Sequence, residues 1–171
     1  MHKAYDTCLE MFEQRGYAVT SQDDEERDCI EGVKEDGTQV CTFLLESSFR
    51  SEHVKEYTVL MKSGDIDHCI IVVRDKVTTA AHASVASLAD LRIELFSVEE
   101  LQTNISMHGL QPKFRLMKKN EVSPKIRKNL GTLWTDDPAA RFFGYQRGDV
   151  VELTRPDGVG YRVVRQRNKK V

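Results

Sequence analysis

Asp137-Pro138-Ala139-Ala140-Arg141-Phe142-Phe143-Gly144-Tyr145-Gln146-Arg147-Gly148-Asp149-Val150-Val151-Glu152-Leu153-Thr154-Arg155-Pro156-Asp157-Gly158 is the most legible stretch of this 171-residue chain. Asp137 is a good N-cap, because a short carboxylate can accept from the unpaired N–H groups of a first turn. Pro138 suits the first helical position, where its missing N–H costs nothing. Ala139 to Phe143 make one or two turns, and Gly144 stands where a left-handed C-terminal residue is expected. Arg147-Gly148 reads as a tight turn. Val150 to Arg155, a Pro156-Asp157-Gly158 turn and Tyr161 to Val164 then read as a β-hairpin.

Working outward, Met107 marks a change of texture. Beyond it Lys and Arg become frequent and acidic residues scarce, and all four prolines lie past residue 111. Residues 1–100 carry 10 Lys and Arg against 21 Asp and Glu, a net of −11, while residues 101–171 carry 15 against 6, a net of +9. Such asymmetry points to two modules with different partners, placed at residues 1–104 and 105–171. In the first, Tyr5, Cys8, Leu9 and Phe12 share one helical face, stopped by Gly16. Residues 21–37 are polar and read as loop with a short strand at Cys29–Val33. Val40–Leu45 is a strand, and Val54, Tyr57, Thr58 and Met61 form a second helix from Ser51 to Gly64. His68–Val73 is apolar on both faces, which suits an interior strand. Residues 78–89 fit a helix, and Leu91, Ile93 and Leu95 alternate with Arg92 and Glu94 as a half-buried strand. Ser97 and Glu100 have capping-box spacing and predict a short helix. The class is α+β: an α/β domain of about four strands, then a small β-rich domain with short helices.

The run Leu130–Pro156 also resembles the assembly domain of the fifth subunit shared by eukaryotic nuclear RNA polymerases, a family with shorter archaeal members. Leu130, Leu133, Asp137, Pro138, Ala140, Arg141, Phe142, Gly144, Arg147, Gly148, Val150, Val151, Leu153 and Arg155 fall in register with that family's pattern. His108–Met117 is similar to its H-x-L-V-P-x-H block, with Phe114 in place of the second His, and Arg15-Gly16-Tyr17 matches a tripeptide after its first helix. Departures are Gly131-Thr132 for the family's Pro-Arg, Gln146 for a Lys, a shorter hairpin and a more compact N-terminal part. They suit a divergent lineage, viral or protist. The resemblance implies a non-catalytic polymerase subunit. Its C-terminal domain would dock on the largest subunit and contact other polymerase subunits, and its N-terminal jaw would lie toward downstream duplex DNA, touched weakly and without sequence preference. The expected location is the nucleus, or the virion or cytoplasmic factory of a virus.

On that reading the docking residues are Asp137, Pro138, Arg141, Gly144, Arg147, Gly148 and Arg155, and the DNA-proximal ones Arg50, Lys55 and Lys62. Folding alone accounts for Asp137, Pro138 and Gly144, whereas the arginines suit bidentate pairing with partner carboxylates. The basic positions Lys118, Lys119, Lys125, Arg127 and Lys128 could meet phosphates, but Trp134 alone is a thin basis for base stacking.

Other chemistry is excluded by what is missing. The longest strongly apolar run, Cys69–Val73, falls far short of the roughly 20 residues of a membrane helix, and the N-terminus lacks a signal-peptide pattern. With 40% hydrophobic and 30% charged residues the chain is globular and intracellular rather than disordered. Cys8, Cys29, Cys41 and Cys69 include no C-x-x-C, so free thiols are expected and no metal site. No acidic-x-Lys occurs for a nuclease of the restriction-enzyme class, and no P-loop, dinucleotide fingerprint or nucleophile elbow occurs. His68 and Cys69 would point to opposite faces of a strand. No cofactor and no small-molecule substrate is expected. The alternative is a stand-alone nucleic-acid-binding adaptor or an inactive nuclease-like protein.

Overall fold

The computed structural model describes residues 2–22, 28–118, 121–123 and 127–167. The chain divides into two compact units, Met1–Thr103 and Asn104–Val171. In the first, α1 (His2–Gln14) buries Ala4, Tyr5, Cys8, Met11 and Phe12 along one stripe, and Gly16 ends it at φ 77°, a conformation that suits glycine. Then come β1 (Ala18–Gln22), β2 (Cys29–Val33), β3 (Gln39–Leu45), α2 (Ser51–Ser63), β4 (His68–Val73), α3 (Thr79–Ala86) and β5 (Arg92–Ser97). The sheet order is β1-β2-β3-β4-β5. The first three strands are antiparallel hairpin neighbours, and β3, β4 and β5 run parallel through the α2 and α3 crossovers.

Alternation along the strands sorts their side chains into two layers. Cys41, Cys69, Ile71 and Ile93 face α2 and α3, where Phe49, Val54, Met61 and Ala81 complete an apolar core. The other face carries Gly32, Val40, His68 and Arg92 in one row, with Ile30, Thr42, Ile70 and Glu94 in the next. Helix α1 lies here: a Cβ on Gly32 would come within 2.9 Å of the Phe12 ring. His68 and Cys69 therefore belong to opposite faces, as the strand period requires. All six residues of β4 are buried.

The structure corrects four expectations. The sheet has five strands among the described residues instead of about four. Strand β1 escaped notice because all five of its residues are exposed at an edge and carry no alternation. Ser97 and Glu100 do form a reciprocal capping box, with Ser97 N–H to Glu100 Oε2 at 2.8 Å and Glu100 N–H to Ser97 Oγ at 3.2 Å. It opens a turn and no helix follows, since the Val98 N–H still bonds the Val73 carbonyl and holds the segment to the sheet. In β5 the buried apolar residues are Ile93 and Phe96, and Glu94 is not on a solvent face.

The second unit begins with a 3-10 turn at Ile105–Met107, capped by Asn104. It continues through β6 (Lys113–Leu116), β7 (Gly131–Trp134), α4 (Pro138–Phe142), β8 (Val150–Arg155) and β9 (Gly158–Arg165). The hairpin strand expected at Tyr161–Val164 is thus longer. Sheet order is β6-β8-β9-β7, antiparallel except for the parallel pairing of β7 with β9. Leu133, Val151 and Val164 pack on Ala140, with Phe114 and Tyr145 at the margin. The opposite face is covered by Val122, Met117 and Leu130 over Val150 and Val163. The second unit is β-rich with short helices, as expected, and the class is α+β. The readings of Lys119 and Lys125, and of the tail from residue 168, lie outside the described residues. No helix among the described residues is long and apolar enough to cross a membrane.

Candidate docking site

The Asp137 carboxylate accepts from the Ala139 N–H at 2.9 Å, and Pro138 opens α4. The helix ends as read from sequence: Gly144 lies at φ 69°, and the Tyr145 N–H closes back on the Ala140 carbonyl at 2.9 Å. Phe143 stacks on Tyr145 at 5.4 Å and meets Phe114 of β6 at 5.3 Å, which pins α4 to the sheet. Arg147 and Gly148 form an exposed turn with Gly148 at φ 95°. That turn is held by the Gln146 N–H on Asp149 Oδ2 at 2.7 Å and by two backbone bonds between residues 148–149 and Val164.

A cleft of about 250 Å³ opens between Ile105, Gln111–Pro112, Phe114, Thr132–Leu133, Asp137–Pro138, Leu153, Arg155 and Arg162. A second hollow, about 210 Å³, continues beside it along Arg155 and the hairpin tip. Strand register explains the space. Arg155 pairs with Gly158, Leu153 with Gly160, and Val151 with Arg162, which in turn pairs with Gly131. Three glycines therefore share the inner face with the two arginines. Arg162 lies flat over Gly131, its Cδ 2.8 Å from where a Cβ would stand.

Of the seven sequence-proposed docking residues, the structure brings Asp137, Pro138 and Arg155 together at this cleft. Arg141 and Gly144 sit half-buried at the C-terminal end of α4, and Arg147 and Gly148 in the turn beyond it. Arg162, Thr132 and the glycines went unremarked, although counting by twos from Arg155 across the two-residue turn places Arg162 on the same face. Neighbouring arginines are already engaged. Arg115 holds Glu152 through Nε and Nη2 at 3.1 and 3.0 Å, which keeps that carboxyl below the ordinary range. It also reaches Glu121 at 3.3 Å, whose carboxyl is lowered first by the Lys118 N–H at 2.6 Å and then by Arg115. Arg165 donates to Thr132 Oγ1 at 2.8 Å, and Arg167 pairs with Asp136 over the Trp134 ring. Arg155 and Arg162 pair with no carboxylate among the described residues, and Arg162 spends one N–H on the Tyr161 carbonyl.

The DNA-proximal candidates gather on one element. Arg50 precedes α2 and lies 3.7 Å from Glu52, and Lys55 and Lys62 are exposed along the helix, interleaved with Glu52 and Glu56.

The first unit holds one further polar constellation, on the α1 face. Arg15 grips Glu94 bidentately, Nη1 to Oε1 at 3.1 Å and Nη2 to Oε2 at 2.9 Å, with its side chain only 3% exposed. Arg92 joins the same carboxylate. Burial opposes the charge on Glu94, but Arg15, the His68 hydrogen bond and Arg92 prevail and hold the carboxyl far below its usual range. Burial pushes the His68 imidazole below its ordinary value despite Glu94. The ring is therefore neutral: Nε2–H donates to Glu94 at 2.8 Å, and Nδ1 accepts from the Tyr17 hydroxyl at 3.1 Å. With both oxygens engaged, Glu94 is a structural anchor rather than a base. Among the described residues no three His, Cys, Asp or Glu side chains are placed to hold a metal ion.

A short antiparallel hairpin, a capped five-residue helix and a parallel fourth strand around a cleft define a compact β-rich module. Residues 103–167 match the family described as RNA polymerase Rpb5, C-terminal domain. The chain is 32% identical over 123 residues to the rpabc1 subunit of DNA-directed RNA polymerases I, II and III of Dictyostelium discoideum, covering 67% of this chain and 62% of that one. It is 31% identical over 121 residues to the corresponding Caenorhabditis elegans subunit, with 67% and 57% covered. A candidate DNA-directed RNA polymerase subunit of Invertebrate iridescent virus 6, protein 454R, is 26% identical along 95% of this chain and 98% of its own. The chain thus spans about three fifths of the cellular relatives and nearly all of the viral one. Its residues 103–167 belong to the Rpb5 C-terminal domain family, and the chain as a whole is similar to Rpb5-type RNA polymerase subunits.

Proposed function

We propose that this chain is a non-catalytic subunit of a multisubunit DNA-directed RNA polymerase, docked through Asn104–Val171 on the largest subunit and in contact with other subunits. The observation that carries the reading is the coincidence of the Rpb5 C-terminal match with a cleft whose rim arginines, Arg155 and Arg162, pair with no carboxylate among the described residues. Met1–Thr103, net −11, lies toward downstream duplex DNA and meets it only through local cations such as Arg50, Lys55 and Lys62. Like charge keeps that contact weak and blind to sequence. The polymerase sets the location: the nucleus for a host enzyme, the virion or a cytoplasmic factory for a viral one. The near end-to-end alignment with the iridescent-virus protein supports the viral setting.

Co-purification tests the assignment. An affinity-tagged chain should come down in equal amounts with two very large polymerase chains and sustain transcript elongation in the eluate. Recovery of the chain alone, or with nucleic acid and no large chains, would instead establish the adaptor reading.

A further inference from the structure

Resting on that assignment, we propose what the cleft holds: a segment of the partner subunit that inserts one apolar side chain among Phe114, Leu133, Pro138 and Leu153 and places an Asp or Glu carboxylate between Arg155 and Arg162. Both halves of the occupant follow from the walls. Phe114, Leu133, Pro138 and Leu153 offer apolar side chains to the cleft, and Gly160, across the ladder from Leu153, keeps its hairpin side open. A cavity of about 250 Å³ accommodates one side chain of leucine or phenylalanine size, not a domain.

The rim sets two arginines against one carboxylate, that of Asp137, which is spent on the Ala139 N–H. Arg115, Arg165 and Arg167 each have a partner inside the unit, so the module can neutralise its arginines yet leaves these two open. A guanidinium presents a planar fork that fits a carboxylate through two parallel hydrogen bonds. Two such forks beside an apolar hollow select an acidic residue adjacent to a hydrophobic one. Nucleic acid fits this place less well, because the lining includes the Asp137 carboxylate and a single aromatic side chain, the half-buried Phe114.

Two variants of the full chain separate the halves of the proposal. Arg155→Glu with Arg162→Glu reverses the rim. Gly160→Leu sets a side chain beside Leu153, its cross-strand neighbour, and so crowds the cleft from the adjoining hollow while keeping both charges. Gly160 does not have a positive φ, and the nearest group to an added Cβ is the Arg162 Nη1 at 3.7 Å. Both proteins should melt near wild type when free, yet recover about tenfold less polymerase or lower, as loss of a desolvated charge pair requires. A photo-crosslinker at exposed Val159 should label a partner peptide with Asp or Glu beside an apolar residue. Should a variant fold poorly, Arg155→Glu alone, at an exposed position, and the crosslink still decide. Full polymerase recovery by folded variants, or crosslinking to a segment without a carboxylate, overturns the inference while leaving the subunit assignment intact. Loss of DNA binding with polymerase recovery unchanged overturns it in favour of a phosphate site. If the wild-type chain recovers no polymerase, the assignment fails and this inference with it.

Discussion

Replacing Arg15 by Met should remove about 3 kcal/mol from the stability of the N-terminal unit, a loss confined to that unit. Met keeps the apolar stem of the arginine and deletes the guanidinium, so the change isolates the charge. The carboxylate it leaves behind is buried under α1 and was held by two hydrogen bonds of 2.9 and 3.1 Å. Deleting one member of a buried pair typically costs about 3–5 kcal/mol, because the other is stranded. Glu94 keeps Arg92 and His68 and is 15% exposed, which argues for the low end. At roughly 4–8 °C per kcal/mol for a domain of this size, the melting point should fall about 12–24 °C. Circular dichroism would follow the loss. Trp134, the sole tryptophan, lies in the other unit, so its fluorescence transition should stay where it was. In a Glu94→Gln background, where no charge is left stranded, the same Arg15→Met change should cost only about 1 kcal/mol. A drop under 1 kcal/mol in the native background, or an equal drop in both, would refute the account of Glu94 as a buried anion anchored by Arg15.

Acid should weaken the same unit in two stages. The folded state holds His68 neutral below its usual 6.5 and Glu94 ionised below its usual 4.5. The unfolded chain therefore takes up protons first, and stability is lost as pH falls through 6.5 and again below 4.5. Urea titrations at pH 7.5, 5.5, 4.5 and 3.5 check this, and His68→Gln should flatten the upper stage. Asp137→Ala removes the side-chain cap of α4 and should cost about 1 kcal/mol in the C-terminal unit. Gly144→Val, which forces a branched residue to φ 69°, should cost at least about 1–2 kcal/mol; chemical denaturation read through Trp134 resolves both. Arg141→Ala with Arg147→Ala should leave the free chain melting within a few degrees of wild type while lowering polymerase recovery. A large melting shift with intact recovery would make both arginines structural. The free chain should bind duplex DNA at roughly 10⁻⁴–10⁻⁶ M with steep salt dependence. Nanomolar, sequence-specific binding in a fluorescence-anisotropy titration would contradict the jaw assignment.

Elements whose signals are local were readable from residue order. The Val54-Tyr57-Thr58-Met61 stripe, the uninterrupted apolar run of β4 and the Asp137-Pro138…Gly144 brackets each carry their cause within a few neighbours, and the structure realises all three. What escaped depends on distant chain. Strand β7 has four residues and exists because β9 offers it a parallel edge. Its own Gly131-Thr132-Leu133-Trp134 shows neither alternation nor a turn signal. Glu94 looked solvated because it alternates with Ile93 and Leu95, while the cation that buries it lies 79 residues away. At the cleft, Asp137, Pro138 and Arg155 were identified through resemblance, and Arg162 was not, because its place follows from hairpin register and from glycines that vacate the floor beneath it.

The strand order of the second sheet also has a consequence for synthesis on the ribosome. β9 lies inside that sheet, flanked by β8 and β7, though it is the last of the described strands along the chain. A nascent chain holding everything up to Arg155 could already close the five-stranded sheet of the first unit. It would still carry β7 and β8 without the strand that joins them. The second unit therefore matures in one late step, once Gly158–Arg165 has emerged, and β7 cannot enter the sheet before then. A message cut short anywhere ahead of that octapeptide yields a first unit able to fold and a second sheet that lacks its joining strand.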